Sequence, residues 1–332
     1  MLKKHDRWIL NRAAALALAS LGLSGCIEYD VDTVLDADGS GSRAVRLEAT
    51  DTDGLQESGL STEEAGELLF LSERRGWAHE IHDESGDTTH VFTREQRIEG
   101  LSHWSGIGGD LRISGALRGD ADETVGYVTL GNVQFRNRVL VGTTRRSDGS
   151  ASFSYEETFL WEDAVDALVE VVVQQMDSRL FGRYPSLPAQ VRGEILGLAR
   201  AQLWEAVDDG VLDSSGDEED ELWNQATERA ASQGVRVLRR FDPDVSEEAL
   251  HGILNVFSSN EDEEALLGEL MGTLPGLNLA LNSSISFRLT MPGRIIDSNA
   301  HDRDGNTLSW EFSPADALSA PVVIRAESVA GQ

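Results

Sequence analysis

The sequence is poor in cysteine and lysine, and each shortage excludes a class of chemistry. Cys26 is the single cysteine among 332 residues, so an internal disulfide, a thiolate zinc cluster and a CxxC redox pair are excluded. Lys3 and Lys4 are the only lysines, and arginine supplies the other basic side chains. Schiff-base catalysis and a phosphate-binding lysine loop are therefore excluded from the rest of the chain.

Basic residues are also few, with 28 Lys and Arg against 58 Asp and Glu, a net charge of −30 and a pI near 4.4. Such a chain repels nucleic acid phosphates, so we exclude a DNA or RNA partner. Hydrophobic residues make up 40 %, enough to bury a core. A solvated surface suited to high salt, or a GC-rich genome that disfavours lysine, explains the charge and the missing lysine better than an acidic binding patch.

The first 25 residues have the pattern of a targeting segment. Residues 1–12 carry Lys3, Lys4, Arg7 and Arg12, and residues 13–23 form an apolar stretch (AAALALASLGL). This stretch is far shorter than the roughly 20 residues that a membrane-spanning helix needs. The order of a basic region followed by a short apolar region is typical of a signal peptide at residues 1–25.

The signal ends in Leu23-Ser24-Gly25-Cys26, which resembles the lipobox of bacterial lipoproteins. The resemblance implies cleavage before Cys26 and acylation of this residue, palmitate included, so that it anchors the chain to a membrane. Ile27 follows, where many inner-membrane lipoproteins have aspartate, which favours a periplasm-facing position on the outer membrane. A secretory peptide with an incidental cysteine is the alternative.

Three pairs of alternating segments precede residue 162. Residues 27–50 predict a hairpin that turns at Asp38-Gly39-Ser40-Gly41. Residues 77–82 and 90–98 predict a second pair, and residues 138–144 and 152–160 predict a third. We assign residues 26–161 to a sheet-rich N-terminal part.

From Glu162 the apolar period changes from two to 3.6, which predicts helices. Apolar stripes run over residues 165–180, 191–207, 222–230, 250–257 and 266–271. We therefore expect residues 162–275 to be an acidic helical insertion.

Alternation returns in residues 279–291, 294–298, 307–312 and 322–328. We expect residues 276–332 to complete the sheet of the N-terminal part. The predicted fold class is α+β, an antiparallel sheet interrupted by a long helical insertion. Two independent domains are the alternative.

Part of this region resembles a known family. Residues 291–300 (MPGRIIDSNA) and 304–312 (DGNTLSWEF), with the turn at residues 36–41 (DADGSG), are similar to the LppM-like bacterial lipoproteins. The resemblance implies a small sheet-rich lipoprotein domain, for which lipid or glycolipid contact has been suggested, and it implies no activity. The long helical insertion departs from that pattern.

Three sequence features that resemble metal or nucleotide sites are better explained as turns, loops and surface residues. Residues 36–41 lack the ligands of an EF-hand, so they predict a turn. His79 and His82 face opposite sides of a strand, although His90 or His103 could converge on one of them. The glycine-rich residues 106–110 lack the third glycine of a dinucleotide loop. We expect no metal, no cofactor and no enzymatic activity.

Trp204 and Trp223 lie at the edges of the second and third stripes, where they either close the core or line an apolar cleft. The sequence therefore predicts a lipid-anchored, non-enzymatic envelope lipoprotein, with Trp204 and Trp223 as candidate contacts for a lipid-like ligand. An accessory subunit that uses the insertion for protein contacts is the alternative. A carboxylate-dependent hydrolase would need a buried pair of carboxylates in a cleft.

Overall fold

The computed structural model describes most of the chain after the signal region. The described residues are 27–51, 66–84, 87–114, 124–125, 128–129, 133–214, 217–256, 280 and 283–330. They divide into two compact units. The sheet unit contains the described residues up to 114, those of 133–162, and those from 280 onward. The helical unit contains residues 163–256, with the short segments 124–125 and 128–129.

The described strands are numbered in chain order. They are β1 Ile27–Leu35, β2 Gly41–Asp51, β3 Ala78–Glu84, β4 Asp87–Ile98, β5 Ile113–Ser114, β6 Thr124–Val125, β7 Val128–Thr129, β8 Gln134–Arg145, β9 Ala151–Glu162, β10 Ser283–Thr290, β11 Arg294–Ser298, β12 Asp302–Asp304, β13 Thr307–Phe312 and β14 Val322–Ala330. The short strands β6 and β7 pair with each other.

The first sheet of the sheet unit has the strand order β12-β13-β10-β1-β2-β4-β3. β1 and β2 form the predicted hairpin, and β3 and β4 form the second predicted pair. β1 also pairs in parallel with β10, with Tyr29 opposite Ile285. Strands from before and after the helical segment therefore share one sheet.

The second sheet has the order β11-β14-β9-β8-β5. β8 and β9 form the third predicted pair, and the C-terminal β14 pairs with β9. The predicted α+β class is confirmed. The expectation of one antiparallel sheet is wrong, because the strands divide between two large sheets and the first of these is mixed.

The core lies where the inward faces of the two sheets pack together. Alternate side chains of β1 and of β9 point inward, as their period of two requires. Phe159 of β9 packs edge-on against Phe287 of β10 with ring centroids 6.1 Å apart, and it contacts Phe312 of β13 at 4.8 Å. Tyr155 and Phe287 are 6.3 Å apart. Aromatic rings thus join the two sheets.

Five helices have described bounds and follow the same numbering. They are α1 Leu101–Trp104, α2 Ala164–Arg183, α3 Ala189–Asp208, α4 Asp217–Leu238 and α5 Glu247–Leu254. Short 3-10 helices cover Glu73–Arg75, Val211–Asp213 and Pro314–Ala317. The first four stripes agree with α2 to α5, and the stripe at residues 266–271 lies outside the described residues.

A salt bridge joins the neighbouring helices α2 and α3. Arg200 of α3 pairs with Glu170 of α2, with Nη2 and Oε2 2.7 Å apart. The stripe on α2 is turned relative to the prediction, because Ala164 and Ala167 are buried while Val165 is only half-buried. The small alanine side chains occupy the face that packs.

Candidate functional site

The strongest concentration of charge in the interior is centred on Arg43, which points inward from β2. Its Nη1 and Nη2 donate to Oε2 and Oε1 of Glu157 on β9, at 3.0 and 2.7 Å. Its Nε lies 2.8 Å from Oδ2 of Asp110, and Nη1 also donates to the hydroxyl of Thr33 at 3.0 Å. One guanidinium therefore contacts both sheets and the loop before β5.

Further side chains complete this Arg43 cluster, which we define as Arg43, Arg94, Asp110, Asn137, Tyr155 and Glu157. The hydroxyl of Tyr155 donates to Glu157 at 2.6 Å, and the side-chain amide of Asn137 donates to the same carboxylate. Arg94 donates to Asp110 at 2.9 Å. The cluster thus holds two cations and two anions, and its formal charges cancel.

The electrostatics of the cluster stabilise the charged form of Arg43. Burial alone would lower the pKa of Arg43, but the charges of Glu157 and Asp110 outweigh it and hold this pKa above its ordinary value. Burial, followed by the negative charge of Glu157, raises the pKa of Tyr155 well above its ordinary value. Arg43 therefore stays protonated and Tyr155 stays neutral near pH 7.

Solvent does not reach the centre of this cluster, although Arg94 at its edge is partly exposed. The exposed fractions of Arg43, Asp110 and Glu157 are 2 %, 6 % and 0 %. Hydrolysis by paired carboxylates needs both a path for substrate and free carboxylate oxygens, and both carboxylates here are held by guanidinium groups. The cluster is therefore an internal junction between the sheets.

The sequence held a signal for this junction that we did not use. Arg43 and Glu157 occupy inward positions of alternating strands, where every second neighbour is apolar or aromatic. Opposite charges in the core phase of two strands indicate a buried ion pair. Asp110 lies in the glycine-rich segment of residues 106–110, which the sequence analysis compares only with a dinucleotide-binding loop.

A pair of histidines lies on the inward face of β3 and β4. Nε2 of His79 is 3.0 Å from Nδ1 of His90, and the ring of His79 stacks on Phe92 with centroids 4.2 Å apart. Burial, and then the neighbouring His90, lower the pKa of His79 below its ordinary value. Of the two contacts considered for His90 from the sequence, the one with His79 is present.

His82 points to the other face of β3, as expected from the strand period. Its Nε2 lies 3.5 Å from Oε2 of Glu80. Across the described part of the chain, no group of three or more His, Cys, Asp or Glu side chains is arranged to hold a metal ion. The turn at residues 36–41 is held internally, with Oδ1 of Asp38 accepting from the hydroxyl and backbone amide of Ser40.

The two tryptophans named from the sequence lie on adjacent helices. Trp223 of α4 packs, partly buried, on a small apolar cluster formed by Ala206, Val211 and Ala226. Its indole nitrogen donates to Glu219 at 3.4 Å. Trp204 is half-buried on α3, one helical turn before Val207, which also borders this cluster. Trp223 therefore fills space between helices.

Two surface depressions can be described, and both have polar rims. One of about 350 Å³ lies on the second sheet beside Leu140, Gly142, Glu156 and Arg325. The other, of about 500 Å³, is lined by polar and acidic side chains of α4. Neither resembles the apolar cleft that a lipid-like ligand requires.

Cys26 and the signal peptide lie outside the described residues. Within the described residues, the helices are too short or too polar for any of them to cross a membrane.

Comparisons with known proteins give one distant similarity. No protein-family model matches the chain, and no curated protein matches it. Among solved structures, the chain is similar to the NMR structure of the folded domain of the Mycobacterium tuberculosis LppM protein, over 93 % of this chain and 94 % of that one. The identity is 6 % and the TM-score is 0.30, too low to carry a conclusion about function.

Proposed function

We propose that the chain is a lipid-anchored lipoprotein of a bacterial cell envelope and acts by binding, without enzymatic activity. The lipobox at Leu23-Ser24-Gly25-Cys26 supports the anchor, with acylated Cys26 as the link to the membrane and the outer membrane as the favoured site. The closed Arg43 cluster supports the absence of catalysis, because its carboxylates are inaccessible to a substrate.

The helical unit is the proposed contact surface, and the observation that carries this is a group of exposed aromatic side chains. Phe181 of α2 and Phe241, just after α4, are each 50 % exposed. The hydroxyl of Tyr184 donates to Asp242 at 3.3 Å, which brings the ends of α2 and α4 together. We call Phe181, Tyr184 and Phe241 the aromatic end of the helical unit.

Such a surface has the composition of a protein interface. Aromatic and arginine side chains are enriched in interface cores, and Arg192 lies over the ring of Phe181 with its guanidinium 5.1 Å from the centroid. Phe181 and Phe241 expose apolar rings near the ends of α2 and α4, and exposed apolar area of this kind is typical of a surface that a partner covers. The proposed partner is therefore another protein of the envelope, with this chain as its accessory subunit.

A lipid-like ligand is the second candidate. Val207, Leu212, Leu222 and Trp223 are only partly buried around the cluster of Ala206, Val211 and Ala226. These side chains leave an apolar rim between α3 and α4, and the membrane anchor would keep that rim close to lipid. The aromatic end is favoured over this rim because its side chains are the more exposed.

The test is native mass spectrometry of the full-length lipidated chain, purified from membranes in mild detergent, with extracted lipids measured in parallel. The test variants are Phe181→Ser with Phe241→Ser, and Trp223→Ala. Leu140→Ser is the matched control, because Leu140 is 55 % exposed but lies in the sheet unit. Circular dichroism checks that each variant keeps its fold.

The outcomes separate the two candidates. A stoichiometric protein partner that is lost with the Phe181 and Phe241 changes, and kept with Leu140→Ser, supports the accessory subunit. A stoichiometric acyl lipid that is lost with Trp223→Ala supports the lipid-like ligand. A chain that carries neither, or whose partner survives all three changes, contradicts the binding proposal.

A further inference from the structure

The proposed lipid anchor is joined to the sheet unit without a linker. Ile27 begins β1, has an exposed fraction of 3 %, and pairs with Ser283 of β10 and Ala49 of β2. Cys26 is the preceding residue, and consecutive Cα atoms are only about 3.8 Å apart. An acylated Cys26 would therefore hold the end of the sheet at which β1 begins close to the membrane surface.

One loop of the sheet unit lies at this same end. β13 runs antiparallel to β10 and ends at Phe312, which is opposite Ile285, so the chain leaves the sheet level with the start of β10 and of β1. We call the residues that follow, 313–321, the anchor-end loop. Because β13 is two strands away from β1 and neighbouring strands are about 4.8 Å apart, the loop begins about 10 Å from Ile27.

The anchor-end loop is fixed in place and carries little charge. The indole nitrogen of Trp161 donates to the carbonyl of Pro314 at 2.8 Å, and Oδ2 of Asp316 accepts from the backbone amide of Ser313 at 2.7 Å. Asp316 is the only charged residue of the loop, in a chain with a net charge of −30. Residues 319–321 (SAP) are exposed. The loop thus presents a small, uncharged surface beside the anchor.

The outward face of β1 is less suited to a membrane surface. Glu28, Asp30 and Asp32 all point outward, and only the last two have arginine partners, Arg46 and Arg288. A membrane that carries anionic lipids has a negative surface potential. A sheet lying flat would bring these carboxylates against like charge, whereas an upright sheet keeps them away from it.

We propose that the anchor-end loop, residues 313–321, is a membrane-contact surface, and that the short tether at Cys26 holds the sheet unit upright on lipid headgroups. This inference rests on the proposed lipid anchor and adds which surface of the protein faces the membrane. β1 has nine residues and rises about 3.3 Å per residue, so the turn at residues 36–41 lies about 27–30 Å farther from the membrane than Ile27.

The test uses the full-length lipidated chain in vesicles of phosphatidylethanolamine and phosphatidylglycerol that contain a headgroup-nitroxide lipid. Acylation occupies the thiol of Cys26, so a single introduced cysteine is the only free thiol and can carry a fluorophore. Ser319→Cys labels the anchor-end loop. Ala37→Cys is the matched control, because both positions are exposed and Ala37 lies in the turn at the other end of β1. Intact mass verifies acylation, and circular dichroism verifies the fold.

We expect the nitroxide lipid to quench the fluorophore at position 319 several times more strongly than the one at position 37. A flexible linker of about ten Gly and Ser residues inserted between Cys26 and Ile27 spans roughly 17 Å and should abolish this difference, because the sheet unit can then rotate away from the membrane.

The outcomes separate the orientation from the anchor. Equal quenching at the two positions, or stronger quenching at position 37, in a chain whose mass shows acylation would overturn the orientation and leave the anchor intact. A mass without acyl chains on Cys26 would overturn both. A difference that survives the inserted linker would contradict the role given to the short tether.

Discussion

Arg43 and Glu157 form a two-point ion pair across the two sheets, with nitrogen–oxygen distances of 2.7 and 3.0 Å and both side chains buried. The pair joins β2 to β9, and its two residues are 114 positions apart in the chain. Replacing a buried ion pair by apolar groups can be neutral, whereas removing one partner leaves a buried charge. Replacing only one of the two residues should therefore lower the free energy of unfolding more than its share of replacing both.

Arg43→Met should lower the free energy of unfolding by about 3–5 kcal/mol, because Glu157 would remain buried without its cation and Asp110 would keep only Arg94. Arg43→Met combined with Glu157→Leu should cost less than the sum of the two single changes. Urea denaturation of the four proteins measures this coupling. Arg46→Met is the control on the same strand, because Arg46 is 44 % exposed and should contribute at most about 1 kcal/mol. Additive losses would contradict the pairing.

The sequence predicted the local strand pairs, and of the long-range pairing it predicted only that strands from both sides of the helical segment share a sheet. The hairpin of β1 and β2 follows from alternation around the turn at residues 36–41, and α2 to α5 follow from the 3.6 period. The parallel pairing of Tyr29 with Ile285 has no local signal, because no turn joins the two strands. The division into two sheets depends on such long-range pairs and was missed.

The difference between local and long-range signals also decides which contacts of the histidines could be predicted. Within β3, the spacing of His79 and His82 correctly places them on opposite faces. The contact of His79 with His90 depends on the register between β3 and β4, which the hydrophobic pattern does not fix for an edge strand. Pairing of polar side chains across strands therefore needed the structure.

Tyr29 and Tyr155 should make stability depend on alkaline pH. Burial raises the pKa of each above the value near 10 of a free tyrosine. Above pH 10 the unfolded chain therefore loses protons that the folded chain keeps. Stability should be fully present below pH 10 and should then fall by about 1.4 kcal/mol per pH unit for each tyrosine.

Tyr29→Phe isolates one of these contributions. The hydroxyl of Tyr29 has no hydrogen-bond partner among the described residues, so the change should have little effect on stability at pH 7. Between pH 10 and 11.5 it should reduce the fall by about 1.4 kcal/mol per pH unit. Urea denaturation over pH 7–11.5 measures both quantities. An unchanged slope would mean that Tyr29 ionises in the folded protein.

Gly41 is required where the first hairpin passes Trp104. A Cβ atom at Gly41 would lie 2.1 Å from the carbonyl oxygen of Val34 and 2.7 Å from the Trp104 ring. Trp104 cannot retreat easily, because it is fully buried and its indole donates to the carbonyl of Gly39 at 3.0 Å. Gly41→Ala should therefore destabilise the protein by about 1–3 kcal/mol, measured by chemical denaturation.

Gly197 on α3 provides the opposite case. A Cβ atom there meets no other described atom within 4 Å. Gly197→Ala should stabilise the protein by about 0.5–1 kcal/mol, because alanine loses less backbone entropy than glycine in a helix. Similar effects of the two alanines, in either direction, would mean that the close approach at Gly41 does not limit packing.

Cys26→Ser tests the proposed anchor directly. Acyl chains contribute about 0.8 kcal/mol per buried CH₂, and stable attachment needs more than one chain, which a modified Cys26 would supply. The serine variant cannot form the thioether, so it should lose palmitate labelling and either remain unprocessed or become soluble. Ser24→Ala is the control, since alanine also fits the lipobox and should leave processing unchanged. Membrane fractionation and the intact mass of the chain measure the result. A Cys26→Ser chain that is cleaved and still fractionates with the membrane would refute lipid attachment at this residue.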